Sequence, residues 1–584
     1  MSRNDEVARR LEEFADRLEA TGVEYKPRSY RNAAENVRDH PAAIEDLARE
    51  GPDAVAGIEG VGDAISAKVV EYFQTGEIEE LGELREELPV DIDALTSVEG
   101  VGPKTVGQLY EALGVEDLDD LEAAAEAGEI REVSGFGQKT EQNILAGVPF
   151  ARQAHGRHLL GEGRPQGERV LTALAAEEAV TDCDLAGSLR RWKPTVGDVD
   201  VLAASDEPAA AVEAFTSLEA VDTVIEAGDQ KASARIEGIQ VDLRAVVPEE
   251  FGSALQYFTG SRDHNVALRN RAIDRELKVN EYGVFDVSGV GDAEAGHEGD
   301  GQRAGERVAG ETEESMYDAV DLPWIPPELR EGRGEIEAAA AGDLPDLVTV
   351  EGMRGDLHVH TDWSDGRATL AEMVAGAEAA GHDYLAVTDH ATGPGMVGGV
   401  GLDDDRLREQ LPAVGEADDD ADIDVFAGVE ANIGSDGTVS VADDLLADLD
   451  LVVASPHAAL EGDGTDRLVA ACEHPAVDVI GHPTGRRLNE RAGMDVDVDR
   501  LAAVAAETGT ALEVNANPHR LDLGGSMVRA AVDAGATVAV NTDAHHPDEY
   551  GYLRYGVHTA RRGWAEADQV LNARDADGVR EFLG

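Results

Sequence analysis

Cysteine is nearly absent from this chain of 584 residues: Cys183 and Cys472 are its two representatives. They match neither a disulfide framework nor a metal-ligand spacing, so a reducing cytosol is expected. No apolar run approaches the roughly 20 residues that cross a bilayer, and the opening MSRNDEVARRLEEF is charged throughout, so a soluble, cytoplasmic protein with no membrane partner is expected. Aromatic residues make up 4% of the chain, and lysine occurs seven times, always in the first half, against forty-two arginines. Lysines retained against such a background are expected to have local roles.

Positive charge is scarce overall, with a net charge of -71. Taken alone this argues against nucleic acid, because phosphate contacts need Lys or Arg. Disorder is excluded by 42% hydrophobic content and by acidic residues spread along the chain, not gathered into a tail. The pattern suits the cytosol of an extreme halophile, where molar salt shortens the Debye length to about 3 Å and mutes repulsion from DNA.

At about 100 to 200 residues per domain, the length implies three to five units. Residues 1 to about 150 read as short amphipathic helices punctuated by Gly60-Val61-Gly62, Gly100-Val101-Gly102 and Gly135-Phe136-Gly137. Each turn has apolar flanks and a helix-like segment after it, as in repeated helix-hairpin-helix units. Glycine lets a DNA backbone approach closely, and the amides opening the next helix bind a phosphate oxygen. One such turn is ordinarily a tight connection; three in succession point to DNA.

From about 150 to 290 the pattern is mixed α/β, with strands expected at VDVLAA, ARIEG and IQVDLRAVV. The Gly- and acid-rich stretch at about 288–314 reads as a flexible surface insertion. LPWIPPELREG reads as an ordered turn before a linker at 334–350. From about 351 onward short strands alternate with helices, the signature of a βα barrel.

Gly187-Ser188-Leu189-Arg190-Arg191 precedes Gly197-Asp198-Val199-Asp200, and Asp242 lies in a later strand-like run. On a strand, Asp198 and Asp200 share a face, and with Asp242 on a neighbouring strand they could hold two Mg²⁺ or Mn²⁺ ions about 4 Å apart. One ion would activate a primer hydroxyl, the other would neutralise the triphosphate. Ser188, Arg191 and the backbone at Gly197 would bind its phosphates. A lone Asp-x-Asp is usually a solvated strand end; its spacing from Gly-Ser and Arg-Arg reverses that reading.

Here the chain resembles family X DNA polymerases of the polymerase beta type, in the bacterial and archaeal form with a C-terminal PHP domain. The resemblance to the polymerase runs from the N-terminus to about residue 333. It implies that Tyr257, Phe258, Thr259 and Gly260 pack against the sugar of an incoming deoxynucleoside triphosphate, and that Asn265 and Arg269 contact the nascent pair and template. It places Lys68 at a Schiff-base position for deoxyribose-phosphate lyase chemistry, and Lys26, Tyr30 and Arg31 where the family grips a phosphate. Ala64 departs from the family, which has a basic residue there, and this sets the lyase role against a plain backbone contact by Lys68.

Eleven of the sixteen histidines follow residue 350, most of them ending short apolar strands. Strand ends of a βα barrel converge on its active site. The set resembles the PHP (polymerase and histidinol phosphatase) domain, a distorted seven-stranded barrel holding up to three metals. The matching ligands are His358, His360, Asp365, His390, Glu430, His457, His482, Asp543 and His545. Mixed imidazoles and carboxylates suit Zn²⁺, Mn²⁺ or Fe²⁺, and His519 and Arg520 are candidate phosphate contacts.

The expected architecture is therefore multidomain. A helix-hairpin-helix lyase-like domain spans 1–86 and a helix-hairpin-helix DNA-binding subdomain 87–147. An α/β nucleotidyltransferase palm spans 148–248, a nucleotide-selection subdomain 249–333, and a distorted (β/α)7 PHP barrel 351–584. The resemblance implies a monomeric repair enzyme that fills gaps in gapped, nicked or broken DNA and trims 3′ ends, with abasic-site endonuclease or lyase activity beside these. A noncatalytic end-binding scaffold would need only the helical repeats. A small-molecule phosphatase would leave the repeats and the aspartate triad unexplained.

Overall fold

The computed structural model describes all residues except 1–2, 24–25, 39–43, 59, 99, 155–156, 291–302, 394 and 397–399. The chain forms two compact units, Met1–Arg157 with Asn489–Ala492, and His158–Leu488 with Gly493–Gly584.

The first unit is helical, as its periodicity requires. Its helices include Arg3–Ala20, Lys26–Arg38, Asp63–Thr75, Pro103–Leu113, Leu118–Ala127 and Gln138–Ala154. Asp117 caps one start by accepting from the amides of Asp119 and Asp120, and Gly76, Gly114 and Gly128 end three helices in the left-handed conformation that favours glycine. Leu11, Phe14, Tyr30 and Val69 lie in one core, and Leu95, Leu109, Leu121 and Ile144 in another.

In the second unit, strands β1 (His158–Leu159), β2 (Asp182–Leu185), β3 (Thr195–Val196), β4 (Val199–Ala204), β5 (Thr223–Ala227), β6 (Lys231–Ile236) and β7 (Ile239–Val246) come first. Five form a sheet in the order β2-β4-β7-β6-β5, in which β4 and β7 run parallel. The ARIEG stretch ends its strand at Ile236, because Glu237 and Gly238 both take positive φ and turn the chain straight into β7.

Strands β8 (Leu277–Asn280), β9 (Gly283–Asp286) and β10 (Glu306–Ala309) form a small antiparallel sheet. The expected insertion at 288–314 is thus shorter than its composition implied. Glu306–Ala309 pairs with β9, the helix Glu313–Ala319 follows, and residues 291–302 lie outside the described ones. The expected linker at 334–350 is also ordered. Glu335–Ala341 is a helix between Gly334 and Gly342, and it buries Ile336 and Ala339.

Strands β11 (Gly355–Val359), β12 (Tyr384–Val387), β13 (Asp424–Asn432), β14 (Leu451–Ser455), β15 (Val479–Ile480), β16 (Ala511–Asn515) and β17 (Val538–Asn541) pair in sequence order, all parallel. A bridge between Val359 and Ala544 brings the first strand to the last, giving a nearly closed seven-stranded barrel. Its strands are apolar on both faces because helices cover the outside.

A buried ion pair ties the small sheet's helix to the chain before the barrel. Arg330, fully buried, donates from Nε to the Ile325 carbonyl and from both terminal nitrogens to Glu313. Glu313 also accepts from Arg190 at 2.7 and 3.0 Å and from the Trp324 indole at 3.0 Å. Burial alone would raise the Glu313 carboxyl, but Arg330 and Arg190 more than offset it and hold it at about 2. Such a group stabilises the fold fully above its ordinary value of 4.5, and the contribution is lost as pH falls toward about 2. Glu313→Ala strands two buried guanidiniums, so a loss of about 3–5 kcal/mol in denaturant unfolding is expected. An unchanged midpoint would remove this pair from the stability account.

Candidate metal centres

Two separate constellations gather metal-binding side chains. In the first, the parallel register of β4 and β7 sets Asp200 directly opposite Asp242. Asp198 sits just before β4, not on it as the sequence implied, yet one oxygen from each of the three lies within 4.8 Å of the others. Gly187 is indispensable beside them: its φ is +60°, and a Cβ there would fall 1.8 Å from Asp200 Oδ2. Burial, then repulsion from Asp198 and Asp242, pushes the Asp200 carboxyl up to about 7, with Arg191 partly opposing. Three carboxylates so close suit divalent cations.

A cleft of about 220 Å³ opens on Asp200 and Asp242 and is lined also by Ser233, Lys231, Arg244 and Phe258. Gln240 donates to both oxygens of Asp242, at 3.1 and 3.2 Å. Sequence reading missed Gln240 and Arg244. Their alternation with Asp242 along β7 was the available signal.

The other expected nucleotide contacts lie on neighbouring elements. Ser188 is half-buried in the short helix Gly187–Arg190, and Gly197 is exposed before β4. Tyr257 and Phe258, half-buried near the end of the helix Phe251–Thr259, meet edge to face at 5.2 Å. The Arg244 guanidinium covers the Phe258 ring at 4.7 Å. Asn265 donates to the Tyr257 carbonyl at 2.8 Å, so it braces the helix end as well as standing near it. A Cβ on Gly260 would come within 2.4 Å of Asn265 Oδ1, and Arg269 is exposed one helical turn further on.

In the helical unit, Gly60, Gly100 and Gly135 all take positive φ. The helices Asp63–Thr75 and Pro103–Leu113 start at Gly62 and Gly102 with no side chain capping their amides, and Gly137 precedes the helix starting at Gln138. Lys26 is exposed, but Tyr30 is buried and stacked on Phe14 at 4.5 Å. Arg31 is committed to Asp16 and Glu19 at 2.7 and 2.6 Å. Lys68 pairs with Glu80 and lies 5.2 Å over the Phe14 ring, so a Schiff-base role would require that pair to open.

The barrel brings all nine expected ligands together. Glu430 on β13 is the hub: its Oε2 is 2.6 Å from His390 Nδ1, and its Oε1 is 3.0, 3.3 and 3.4 Å from His482, His457 and His358. Asp543 lies 3.1 Å from His360 Nε2, and Asp365 lies 3.3 and 3.4 Å from His545 and His390. The donor groups overlap, with His360, Asp365, His390 and His545 in one, His358, His360 and Glu430 in a second, and His390, Glu430 and His457 in a third. Burial would raise Glu430, but His390, His457 and His358 hold it well below the usual carboxylate range. Burial together with His545 and His390 pushes His360 down.

Among the described residues, buried His358 Nε2, both ring nitrogens of His360, His457 Nε2 and His482 Nδ1 find no hydrogen-bond partner of acceptable geometry. Orphaned imidazole nitrogens around buried carboxylates fit bound metal ions. His482 and Asp543 take positive φ, strain of the kind that concentrates at functional sites.

A supporting layer escaped sequence reading. Glu513 on β16, fully buried, holds His358 Nδ1 at 2.7 Å and accepts from the His482 amide and Asn541. Asn432 holds His457 Nδ1 at 2.8 Å, and Asn515 donates to Asp543 at 3.0 Å. Two inward polar residues, Glu513 and Asn515, in an otherwise apolar strand were the signal. Arg520 Nε lies 3.6 Å from Asp543 Oδ2, and His519 is exposed beside it.

Comparison with known proteins covers both constellations. Family models match a helix-hairpin-helix domain over residues 2–78, a SAM-like helix-hairpin-helix tandem over 92–148, a DNA polymerase beta thumb over 254–331 and a PHP domain over 356–517. The chain is 34% identical over 586 residues to the DNA polymerase/3′-5′ exonuclease PolX of Bacillus subtilis (strain 168), covering 99% of each. A protein of Thermoanaerobacter sp. (strain X514) described as "Probable phosphatase" is 28% identical over 243 residues, 39% of this chain and 93% of its own. Another so described, from Shewanella sp. (strain MR-4), is 29% identical over 203 residues, 32% and 75% respectively.

Two outcomes test these centres. Because the folded Asp200 carboxyl is raised to about 7 from 3.8, its ionisation costs stability as pH rises through that window. Metal-free Asp200→Asn protein is therefore expected to melt above the parent at about pH 8 and to converge with it near pH 4. Added Mn²⁺ should then stabilise the parent more. A variant that melts with the parent at both pH values would refute the crowding of the triad. For the barrel, Glu513→Gln is expected to weaken metal binding about 10- to 100-fold in chelator competition, since His358 loses the acceptor that orients it. An unaltered affinity would show that His358 needs no such partner.

Proposed function

This chain belongs to the DNA polymerase/3′-5′ exonuclease PolX family, and on that premise we propose that it is a repair enzyme that fills gaps from the aspartate centre and trims 3′ ends from the barrel. One observation carries the reading: a carboxylate triad and a cluster of nine imidazoles and carboxylates coexist in a single compact unit. The substrates are gapped, nicked or broken DNA and deoxynucleoside triphosphates.

At the triad, Mg²⁺ or Mn²⁺ supplies the paired cations for in-line nucleotidyl transfer. Asp198, Asp200 and Asp242 hold them, while Gly187 leaves the space their carboxylates need. Ser188, Arg191 and the Gly197 backbone receive the triphosphate. Tyr257, Phe258 and Gly260 bound the sugar, and Asn265 and Arg269 face the new base pair. At the barrel, bound Zn²⁺, Mn²⁺ or Fe²⁺ would supply Lewis acidity toward a phosphodiester. Glu430 and Asp543 balance the charge there, Glu513 and Asn432 fix ring orientation, and Arg520 is placed to meet a phosphate oxygen. A gap-filler needs a clean 3′-hydroxyl, and one chain carrying both activities keeps a trimmed end at high effective concentration.

The helical turns supply backbone contacts from Gly60, Gly62, Gly100, Gly102, Gly135 and Gly137, with Lys26, Tyr30 and Arg31 nearby. Lys68 is the candidate nucleophile for lyase chemistry at an abasic sugar, and the barrel is the candidate for abasic-site cleavage. We read the domain limits as 1–86, 87–147, 148–248, 249–333 and 351–584, and the protein as monomeric and cytoplasmic. Its net charge of -71 supports a high-salt cytosol. Among the described residues no helix is long and apolar enough to cross a membrane.

The deciding assay uses full-length protein at high KCl with Mn²⁺ and a gapped duplex labelled at the primer 5′ end. Extension is expected with nucleotides and shortening without them. Asp242→Ala should abolish extension alone, and His358→Ala shortening alone. Binding without either reaction would favour a noncatalytic scaffold. Extension that survives Asp242→Ala would sink the triad assignment.

A further inference from the structure

We infer that the barrel helix Leu553–Arg562 is a positioning element for nucleotide addition, and that its Arg562, through Glu331, fixes the Arg191 side chain that receives the triphosphate. The inference rests on the reading of Arg191 given above and adds what holds that residue in place.

Arg191 is restrained on two of its donors. Its Nε lies 2.9 Å from Glu331 Oε1, and its Nη1 donates to the Thr259 carbonyl at 2.6 Å. Its Nη2 makes no hydrogen bond among the described residues, so both N–H groups of that nitrogen are left for an anion. Glu331 in turn is held from the barrel: Arg562 Nη1 is 3.1 Å from its Oε1 and donates to the backbone carbonyl of Arg191 at 2.5 Å. Arg562 is only 7% exposed, too enclosed to serve a solvent-facing role.

The same helix grips the next residue. Trp192, with φ of +54°, lies face to face with His558 at 3.5 Å and carries the Arg164 guanidinium at 3.9 Å. His558 and Arg561 both bind Glu328. The phosphate-binding turn is thus pinned on both sides by one barrel helix. An arginine has many rotamers, and holding one in advance removes an ordering cost from ligand binding. A brace of this kind acts on nucleotide affinity, whereas simple packing between barrel and sheet would act on folding and on both activities together.

The test measures kcat and KM for a deoxynucleoside triphosphate on gapped duplex, and 3′ trimming by the same preparations, for full-length Arg191→Ala, Glu331→Gln, Arg562→Ala and Arg562→Lys proteins. Arg562→Ala and Glu331→Gln are expected to raise KM about 10- to 100-fold with a smaller change in kcat, while trimming stays within about twofold. Arg562→Lys should recover part of the loss, because charge opposite Glu331 returns without the second donor. Should Arg562→Ala fail to fold, Glu331→Gln, nearly isosteric, decides alone. Unchanged KM in Glu331→Gln, or equal losses of extension and trimming, would overturn the brace. If Arg191→Ala itself leaves KM unchanged, the nucleotide-site reading fails instead; if it raises KM while the other variants do not, only the brace fails.

Discussion

Buried pairing of unlike charges along one short segment holds the larger unit together. Within residues 328–335, Glu328 meets His558 and Arg561 of the barrel, and Arg330 meets Glu313. Glu331 meets Arg191 and Arg562, and Glu335 meets His264 at 2.6 Å. Each pair joins pieces distant in sequence, and each is largely removed from solvent. Removing one partner of such a pair is costly even where the intact pair adds little net stability, so the pairs specify which surfaces meet. Enclosed charges are also screened far less than exposed ones. A chain of net charge -71 can therefore keep an acidic exterior while its internal joints keep their strength.

The two metal centres are assembled by different geometric means. At the triad, strand register alone sets Asp200 against Asp242, and a bare Cα at Gly187 opens the room the carboxylates take. In the barrel a single parallel bridge sets His390 against Glu430, and the other imidazoles arrive without one. Loops after successive strands converge, and Glu430, reaching in from β13, gathers imidazoles from β11, β12, β14 and β15. At the triad the crowding of like charges is unfavourable without cations, and in the barrel buried imidazole nitrogens stand unpaired among the described residues, both of them conditions of a site built to bind metal.

An acidic protein can still hold DNA where contacts come from the backbone. Helices opening at Gly62 and Gly102 present uncapped amides whose partial positive charge is fixed by the fold, not by side-chain composition. Lys104 and Lys139, two of only seven lysines, lie exposed in the first turn of the helices after the second and third glycine turns. Backbone donors with a few placed cations reconcile a DNA-binding unit with the overall charge.

Much of the architecture was legible in the sequence, because local patterns carry it. Glycine turns before helices, alternation in β7, and histidines ending apolar strands each follow from backbone geometry over a few residues, so the helical repeats, the sheet and a βα barrel could be read directly, while its seven strands came from the resemblance to the PHP domain. Composition misled where short elements hide in low-complexity sequence, as at Glu306–Ala309 and Glu335–Ala341, whose order comes from packing against distant partners. The residues that cluster at the two centres were readable; their supports were not. Glu513, Asn432 and Gln240 matter through side chains they meet only after folding, and Arg31 and Lys68 proved to be paired with carboxylates no spacing rule could point to. Sequence by itself determined which residues could bind metal and which backbone would carry them, since those depend on near neighbours. Only the tertiary structure decided which charges face one another across the barrel, the sheet and residues 328–335, because that choice depends on contacts between residues from 17 to more than 200 positions apart.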